Sequence, residues 1–192
     1  MEAVLSSLLA ELTSGDEDRA EAAALELASH GVEILPKLKE LLASPEPETR
    51  WWVLRTMAQM PEPPVECFIT ALSDDTDDIR QCAALGLCHH PDESAIPELI
   101  CLLSDPDPVT AELASRALAA TGGAAVPALL EIPKEAAQGA RLGPLRALAE
   151  ISDPRAISVL MSALEEDSIS MHYWAEQGLD RLGLGMVYFK PE

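Results

Sequence analysis

Residues 95–109 read AIPELICLLSDPDPV, and this stretch decides the fold class. The apolar run Leu99–Leu103 follows Pro97, and proline suits the first turn of a helix because its missing N–H costs nothing there. The polar residues after the run include Ser104 and Asp105, residue types that cap helix N-termini. The stretch therefore predicts the end of one helix, a short link, and the start of a second helix.

The second helix belongs to a repeat. Small or apolar residues stand at i, i+4, i+5, i+8 and i+9, which form one helix face. Near the middle of the chain they are Ile79, Ala83, Ala84, Leu87 and Cys88. Equivalent sets begin at residues 19, 49, 79, 109, 140 and 170, so each spacing is 30 or 31 residues. A preceding helix repeats in phase and ends near Leu12, Leu42, Leu72, Leu103, Ile132 and Leu164.

These repeats predict an all-α fold, an α-solenoid of about six stacked helical hairpins. Composition agrees, because the strong helix formers Ala and Leu occur 29 times each. We expect a single domain over residues 1–192, with residues 186–192 as a C-terminal capping or docking tail. In the fifth copy Gly143 and Pro144 fall inside the second helix, which we expect to kink or to start late because proline removes a hydrogen bond.

Residues 77–86, DDIRQCAALG, and residues 95–109 resemble the short HEAT-like repeat of the bilin (phycobilisome) lyase type. The resemblance covers nearly the whole chain and is specific for fold, since that family spans scaffolds, lyase subunits and a few enzymes. It implies that the second helix of each hairpin lines a concave surface. It also implies that Arg50, Arg80 and Arg141 bridge to a neighbouring acidic link, whereas Ala20, Thr110 and Met171 depart from that pattern.

The net charge is −20, from 33 acidic and 13 basic side chains. Nucleic acids and anionic membranes are bound largely through Lys and Arg, so we expect neither partner, and base excision on DNA is disfavoured for the same reason. The N-terminus lacks the basic region of a signal peptide, and we expect a cytoplasmic monomer.

The acids concentrate in the links between the two helices of each hairpin. One interpretation is helix capping and solubility, and the alternative is an acidic edge that docks a basic partner. The acids of these links and their edges are Asp16, Glu17, Asp18, Glu46, Glu48, Asp74, Asp75, Asp77, Asp78, Asp105, Asp107, Glu135, Glu165, Glu166 and Asp167.

The second helices carry arginine and aromatic residues away from their apolar faces, and both types are enriched at binding hot spots. We predict a partner-binding row that suits an acidic or aromatic peptide. Its members are Trp51, Trp52, Arg55, Arg116, Arg146, His172 and Tyr173. The alternative is that one tryptophan packs between helices and the arginines pair with nearby acids.

The sequence contains no recognisable catalytic or metal-binding motif. No C-x-x-C pair joins the four cysteines, which we expect to be buried or half-buried, and the pair His89–His90 precedes a proline rather than a glutamate. Gly122 and Gly123 fall where a helix C-terminus is expected rather than in a phosphate loop. We therefore predict no catalysis by the chain alone, no cofactor and no metal.

Two hypotheses for the function remain. In the first, the chain is a non-catalytic scaffold that binds a protein or peptide on its concave face. In the second, it is a lyase-like or chaperone-like subunit that assists the attachment of a tetrapyrrole cofactor, as the resemblance implies.

Overall fold

The computed structural model describes residues 2–133 and 138–185. Within these ranges the chain forms α-helices joined by turns and short 3-10 segments, and it contains no strand, which confirms the all-α prediction. The first helices of the six hairpins are α1 Glu2–Leu12, α3 Leu35–Leu41, α5 Val65–Ala71, α7 Ile96–Leu102, α9 Val126–Leu130 and α11 Ile157–Ala163. The second helices are α2 Glu17–Ser29, α4 Pro47–Ala58, α6 Asp77–His89, α8 Pro108–Thr121, α10 Gln138–Ile151 and α12 Ile169–Arg181.

The hairpins group into two compact units, which divide between His90 and Pro91. In the first unit α2 packs against α4 and α4 against α6. In the second unit α8 packs against α10 and α10 against α12. Each unit thus stacks three hairpins, as the repeat predicts. The single-domain prediction stays a prediction, and the expected tail at residues 186–192 lies outside the described residues.

Local signals in the sequence account for the helix boundaries. Pro36, Pro97 and Pro127 occupy the first turns of α3, α7 and α9. The side chain of Asp16 accepts a hydrogen bond from the backbone N–H of Arg19 in the first turn of α2. Asp107 and Ser168 cap α8 and α12 in the same way. Acids of the links therefore cap the second helix in two of the hairpins described.

The buried stripe of the second helices differs from the predicted stripe at its first position, except in α6, where Ile79 at position i is buried as predicted. In α2 the buried residues are Ala20, Ala23, Ala24, Leu27 and Ala28, so the first buried position is i+1 rather than i. Val109, at position i of its copy, is 50% exposed, whereas Thr110 beside it is fully buried. The reason is geometric, since i+1 lies at the centre of a helical stripe through i+4, i+5 and i+8, and i lies at its edge.

Arginines at this i+1 position tie the hairpins together within each unit. Arg50 donates to both carboxylate oxygens of Asp74 in the next link, at 2.9 and 2.7 Å. Arg141 makes a matching pair of hydrogen bonds to Glu166, at 2.5 and 2.7 Å. Arg80 contacts the link of its own hairpin by donating to the carbonyl oxygen of Asp74 at 2.9 Å, and it also donates to Asp77 in the first turn of α6. Where arginine is absent, a small or apolar residue fills the same buried position.

Helix α10 passes through Pro144 without starting late. It begins at Gln138, six residues before the proline. The buried hydroxyl of Ser115 on α8 donates to the carbonyl oxygen of Gly143 at 2.9 Å. A side chain of the neighbouring helix therefore binds the backbone at the residue before the proline, whereas the carbonyl that the proline deprives of its helical donor is that of Ala140, four residues earlier.

Candidate functional site

A groove of about 530 Å³ runs along the second helices of the first unit, and we call it the unit-1 groove. Its lining residues are Glu17, Glu21, Pro47, Glu48, Trp51, Trp52, Arg55, Thr76, Asp78 and Ile79. Four of them are carboxylates and one is an arginine. The groove is therefore predominantly acidic.

Arg55 lies in this groove and forms an ion pair with Glu21. Its Nε and Nη2 donate to the two carboxylate oxygens of Glu21 at 2.8 and 2.7 Å, and these bonds hold the pKa of Glu21 below its usual value. The guanidinium also lies over the Trp51 ring, 5.8 Å from its centroid. Trp51 contacts Trp52 edge to face at 4.9 Å, and Trp52 is buried. Trp51 and Arg55, two members of the predicted row, thus form one cluster with a third member, Trp52, which is buried.

A second groove, of about 620 Å³, occupies the corresponding place in the second unit, and we call it the unit-2 groove. Its walls are mostly small or apolar. The lining residues are Leu103, Ser104, Asp105, Pro106, Pro108, Ala111, Glu112, Gly139, Ala140, Leu142, Gly143, Arg146, Ser170 and Trp174.

Arg146 is the cation of the unit-2 groove. It lies 4.9 Å from the centroid of the Trp174 ring and has a single 3.2 Å ion-pair contact with Glu112. Each unit therefore contains a cluster of one glutamate, one arginine and one tryptophan, but the glutamate in the second unit engages its arginine much less completely.

The remaining members of the predicted row lie elsewhere in the second unit. Arg116 is exposed on α8, and within the described residues it makes no ion pair or hydrogen bond. His172 and Tyr173 line a shallow depression on α12 together with Ile169, which is 92% exposed, and Glu176. The structure thus places the seven predicted residues in four separate surroundings and leaves their role in binding a prediction.

Sequence reasoning missed Trp174, Glu21 and Glu112 as site residues. Trp174 stands at i+4 of the sixth copy and was assigned to the apolar face, whereas it is half-buried and lines the unit-2 groove. The large size of its side chain could have indicated a role outside the core, because the other copies have Ala, Val, Leu or Pro at that position. The two glutamates carry no signal of their own, since only helix packing places them beside an arginine.

The second unit also encloses an apolar pocket of about 380 Å³ between α9, α10, α11 and α12. Helix α9 has five residues, whereas α7 and α11 have seven, so less helix is available to fill this space. Arg141 and Glu166 are the charged residues that line the pocket, and they are already joined to each other.

Across the described ranges, no group of three or more His, Cys, Asp or Glu side chains is arranged to hold a metal ion. The cysteines are free thiols, and burial raises the pKa of Cys67 and raises that of Cys82 to about 11. Cys101 is exposed, contrary to the expectation of burial, because its position on the short helix α7 faces away from the apolar stripe. Of the helices described, none has the length and apolar character required to cross a bilayer.

Comparison with known proteins identifies the family. The model of the family described as HEAT repeats matches residues 5–81 and 65–143, which is more than half of the chain. This chain belongs to the HEAT repeat family. A second model, described as the PBS lyase HEAT-like repeat, matches residues 145–166, so the predicted resemblance is confirmed.

Two curated relatives of this HEAT repeat chain carry names from bilin biochemistry. Phycocyanobilin lyase subunit beta of Nostoc sp. strain PCC 7120 is 41% identical over 113 residues, which cover 58% of this chain and 56% of the relative. The phycobilisome maturation protein of Synechococcus elongatus is 38% identical over 105 residues, which cover 54% and 50%. The chain thus spans about half the length of the curated relatives it matches.

Solved structures show the same fold. The complex of CpcE and CpcF of phycocyanin lyase from Nostoc sp. PCC 7120 aligns over 91% of this chain and 75% of that chain. The TM-score is 0.55 and the sequence identity is 20%, a level that supports the α-solenoid fold alone.

These relatives correct two expectations. The hypothesis of a pure non-catalytic scaffold is wrong, and so is the expectation that the protein is not an enzyme, because the sequence relatives are named as a lyase subunit and as a maturation protein of the phycobilisome. Both expectations rested on the lack of a recognisable catalytic motif. A helical repeat has no such motif to recognise, since its functional groups come from separate hairpins.

Proposed function

We propose that this chain acts as a lyase-type subunit in the attachment of a bilin to an acceptor protein. The observation that carries the proposal is the 41% identity to a phycocyanobilin lyase subunit over 113 residues. The identity falls within a repeat array whose surface residues are free to vary, so it exceeds what the shared fold alone requires.

The unit-2 groove supplies chemistry that suits a bilin. A bilin is a linear tetrapyrrole with a long conjugated apolar body and two propionate groups. Tryptophan rings stack on conjugated surfaces, and guanidinium groups pair with carboxylates. In this groove Arg146 lies 4.9 Å from the centroid of the Trp174 ring, so one arginine and one tryptophan stand together.

The proposal includes a protein partner. Attachment requires an acceptor protein, and the relative in Nostoc is named as one subunit of a lyase. The net charge of −20 favours encounter with a basic surface over an acidic one. The partner is therefore a protein rather than a nucleic acid.

Chromophore transfer tests the proposal directly. An acceptor phycobiliprotein subunit is co-expressed with a bilin-producing pathway, with and without this chain, and again with a candidate second lyase subunit. We expect covalently bound bilin, visible as zinc-enhanced fluorescence of the acceptor band on a denaturing gel, to increase in the presence of this chain. Equal acceptor fluorescence with and without the chain in both settings contradicts the proposal.

A further inference from the structure

The guanidinium of Arg146 has unused hydrogen-bonding capacity in a protected position. Its side chain is only 22% exposed, yet its contact with Glu112 is a single approach of 3.2 Å. Among the described residues it makes no further hydrogen bond. Arg50, which is similarly buried, donates to both oxygens of Asp74 and to the carbonyl of Ser44. A guanidinium has five N–H donors, so Arg146 retains donors for another acceptor.

The surroundings of Arg146 admit an anion, whereas those of Arg55 oppose one. At the residue just before position i of each repeat, the first unit has Asp18, Glu48 and Asp78 on its three second helices. The equivalent positions of the second unit are Pro108, Gly139 and Ile169. Both units build stable helices, so helix capping does not demand acids at this position. The remaining acids of the unit-2 groove are engaged, since Glu112 contacts Arg146 and Asp105 accepts from the N–H of Asp107.

The groove has room for a flat molecule. Gly139, Ala140 and Ala111 lie along it, and nothing comes within 4 Å of the place where a Cβ of Gly139 would stand. Its volume of about 620 Å³ lies in the range of small-molecule sites, which measure roughly 300–1,000 Å³. A carboxylate that reaches Arg146 leaves an attached conjugated body along these small residues and close to Trp174.

We propose that the unit-2 groove binds the carboxylate end of a planar conjugated acid, with Arg146 as the carboxylate-binding residue and Trp174 as its aromatic support. This inference rests on the proposed function, under which the ligand is a bilin and the carboxylate is a propionate. It assigns the ligand to the second unit and excludes the unit-1 groove, where both carboxylate oxygens of Glu21 already bind Arg55 and further carboxylates repel an anion.

Biliverdin and its dimethyl ester are suitable probes, because they share the conjugated body and only biliverdin has free carboxylates. Binding to the full chain is measured by tryptophan fluorescence quenching and by the visible absorption of the tetrapyrrole. We expect Arg146→Gln to weaken biliverdin binding by roughly ten- to hundred-fold, the effect of losing a charge-assisted hydrogen bond. Arg146→Lys restores part of the affinity, and the ester binds the unaltered chain as weakly as biliverdin binds Arg146→Gln.

Two further variants complete the test. Arg55→Gln is the matched control in the unit-1 groove, and it should leave the biliverdin affinity unchanged. Gly139→Leu fills the unit-2 groove without touching the core, and it should weaken biliverdin by at least about ten-fold. Circular dichroism confirms that each variant is folded.

Three results overturn the inference. They are unchanged biliverdin affinity in Arg146→Gln, an equal loss in Arg55→Gln, and no saturable binding to the unaltered chain. The transfer assay separates these results from the proposed function. If Arg146→Gln supports chromophore transfer as well as the unaltered chain, the site assignment fails and the function stands. If biliverdin binds at Arg146 and no transfer occurs, the function fails and the site stands.

Discussion

At the scale of single residues, the Arg50–Asp74 pair shows how a partly buried ion pair becomes stabilising. Burial opposes the ionisation of Asp74, but hydrogen bonds from Arg50 and from the backbone of Thr76 outweigh it and hold the pKa below the usual value. Asp75 contacts the same guanidinium at 3.2 Å, yet its side chain is 92% exposed and solvent screens it. Asp74 is therefore expected to contribute more to the free energy of unfolding than Asp75.

Arg50→Gln should lower the free energy of unfolding by about 2 kcal/mol, because it leaves a poorly solvated carboxylate without its donors. Asp75→Asn is the matched control and should change it by less than about 0.5 kcal/mol. Urea denaturation measures both. Equal effects of the two substitutions would show that burial of Asp74 is energetically unimportant.

The same pair predicts a pH dependence. The pKa of Asp74 is lowered in the folded state, so the stabilisation is fully present above the unfolded value of about 3.9. It is lost as the pH falls through the folded pKa. The stability difference between the unaltered chain and Arg50→Gln should therefore remain constant from about pH 7 to pH 5 and narrow only below about pH 4.

Thiol reactivity should follow exposure and pKa. With the pKa of Cys82 at about 11, only about one Cys82 thiol in a thousand is ionised at pH 8. The Cys67 thiol is buried, which limits its access to reagent. Cys101 is exposed and should be alkylated first by iodoacetamide, as followed by peptide mass spectrometry. Faster labelling of Cys82 than of Cys101 would contradict the half-buried placement and raised pKa of Cys82.

At the scale of helices, glycines set the closest approaches. A Cβ on Gly178 of α12 would lie 2.9 Å from the Cα of Ala149 on α10 and 2.9 Å from Cδ2 of Leu160. The first of these contacts is with backbone, which cannot rotate away. The contact between α10 and α12 therefore depends on the missing side chain.

Gly178→Ala should lower the free energy of unfolding by about 1–3 kcal/mol, because the overpacking outweighs the better helix propensity of alanine. At about 2–4 °C per kcal/mol, thermal denaturation resolves this change. Gly139→Ala on α10 is the control, since its Cβ would enter open space, and it should leave the melting temperature unchanged or raise it. A fall in both variants would point to a general intolerance of α10 and α12 rather than to the close approach.

At the scale of the whole molecule, the net charge is the main electrostatic influence on stability. A net charge of −20 on 192 residues causes self-repulsion that opposes folding. The exposed ion pairs that salt also weakens, such as Lys39–Glu66, contribute only about 0–1 kcal/mol each.

The melting temperature should accordingly rise when NaCl increases from about 10 mM to about 150 mM, as screening shortens the Debye length from about 30 to about 8 Å. Differential scanning fluorimetry at fixed pH measures the change. A falling melting temperature would mean that specific ion pairs outweigh the net repulsion. Cytoplasmic residence, a monomeric state and the capping or docking role of residues 186–192 stay predictions.

The sequence by itself determined the helices and their pairing into hairpins. The signals are local, since a 30-residue period, a proline in the first turn and an Asp or Ser cap such as Asp16 or Ser168 act within a few residues. One position of the apolar stripe was predicted wrongly, because the pattern counted position i, at the edge of the face, instead of i+1, which lies at its centre.

Only the tertiary structure decided the site. Glu21 and Arg55 are 34 residues apart, and so are Glu112 and Arg146, and no local rule links such positions. Tertiary packing also gives different surroundings to two arginines at equivalent repeat positions. Arg55 donates to both carboxylate oxygens of Glu21, whereas Arg146 has a single 3.2 Å contact with Glu112. The physical reason is that a solenoid builds its surface from side chains of adjacent hairpins, so a groove's chemistry depends on distances between helices that are absent from the linear pattern.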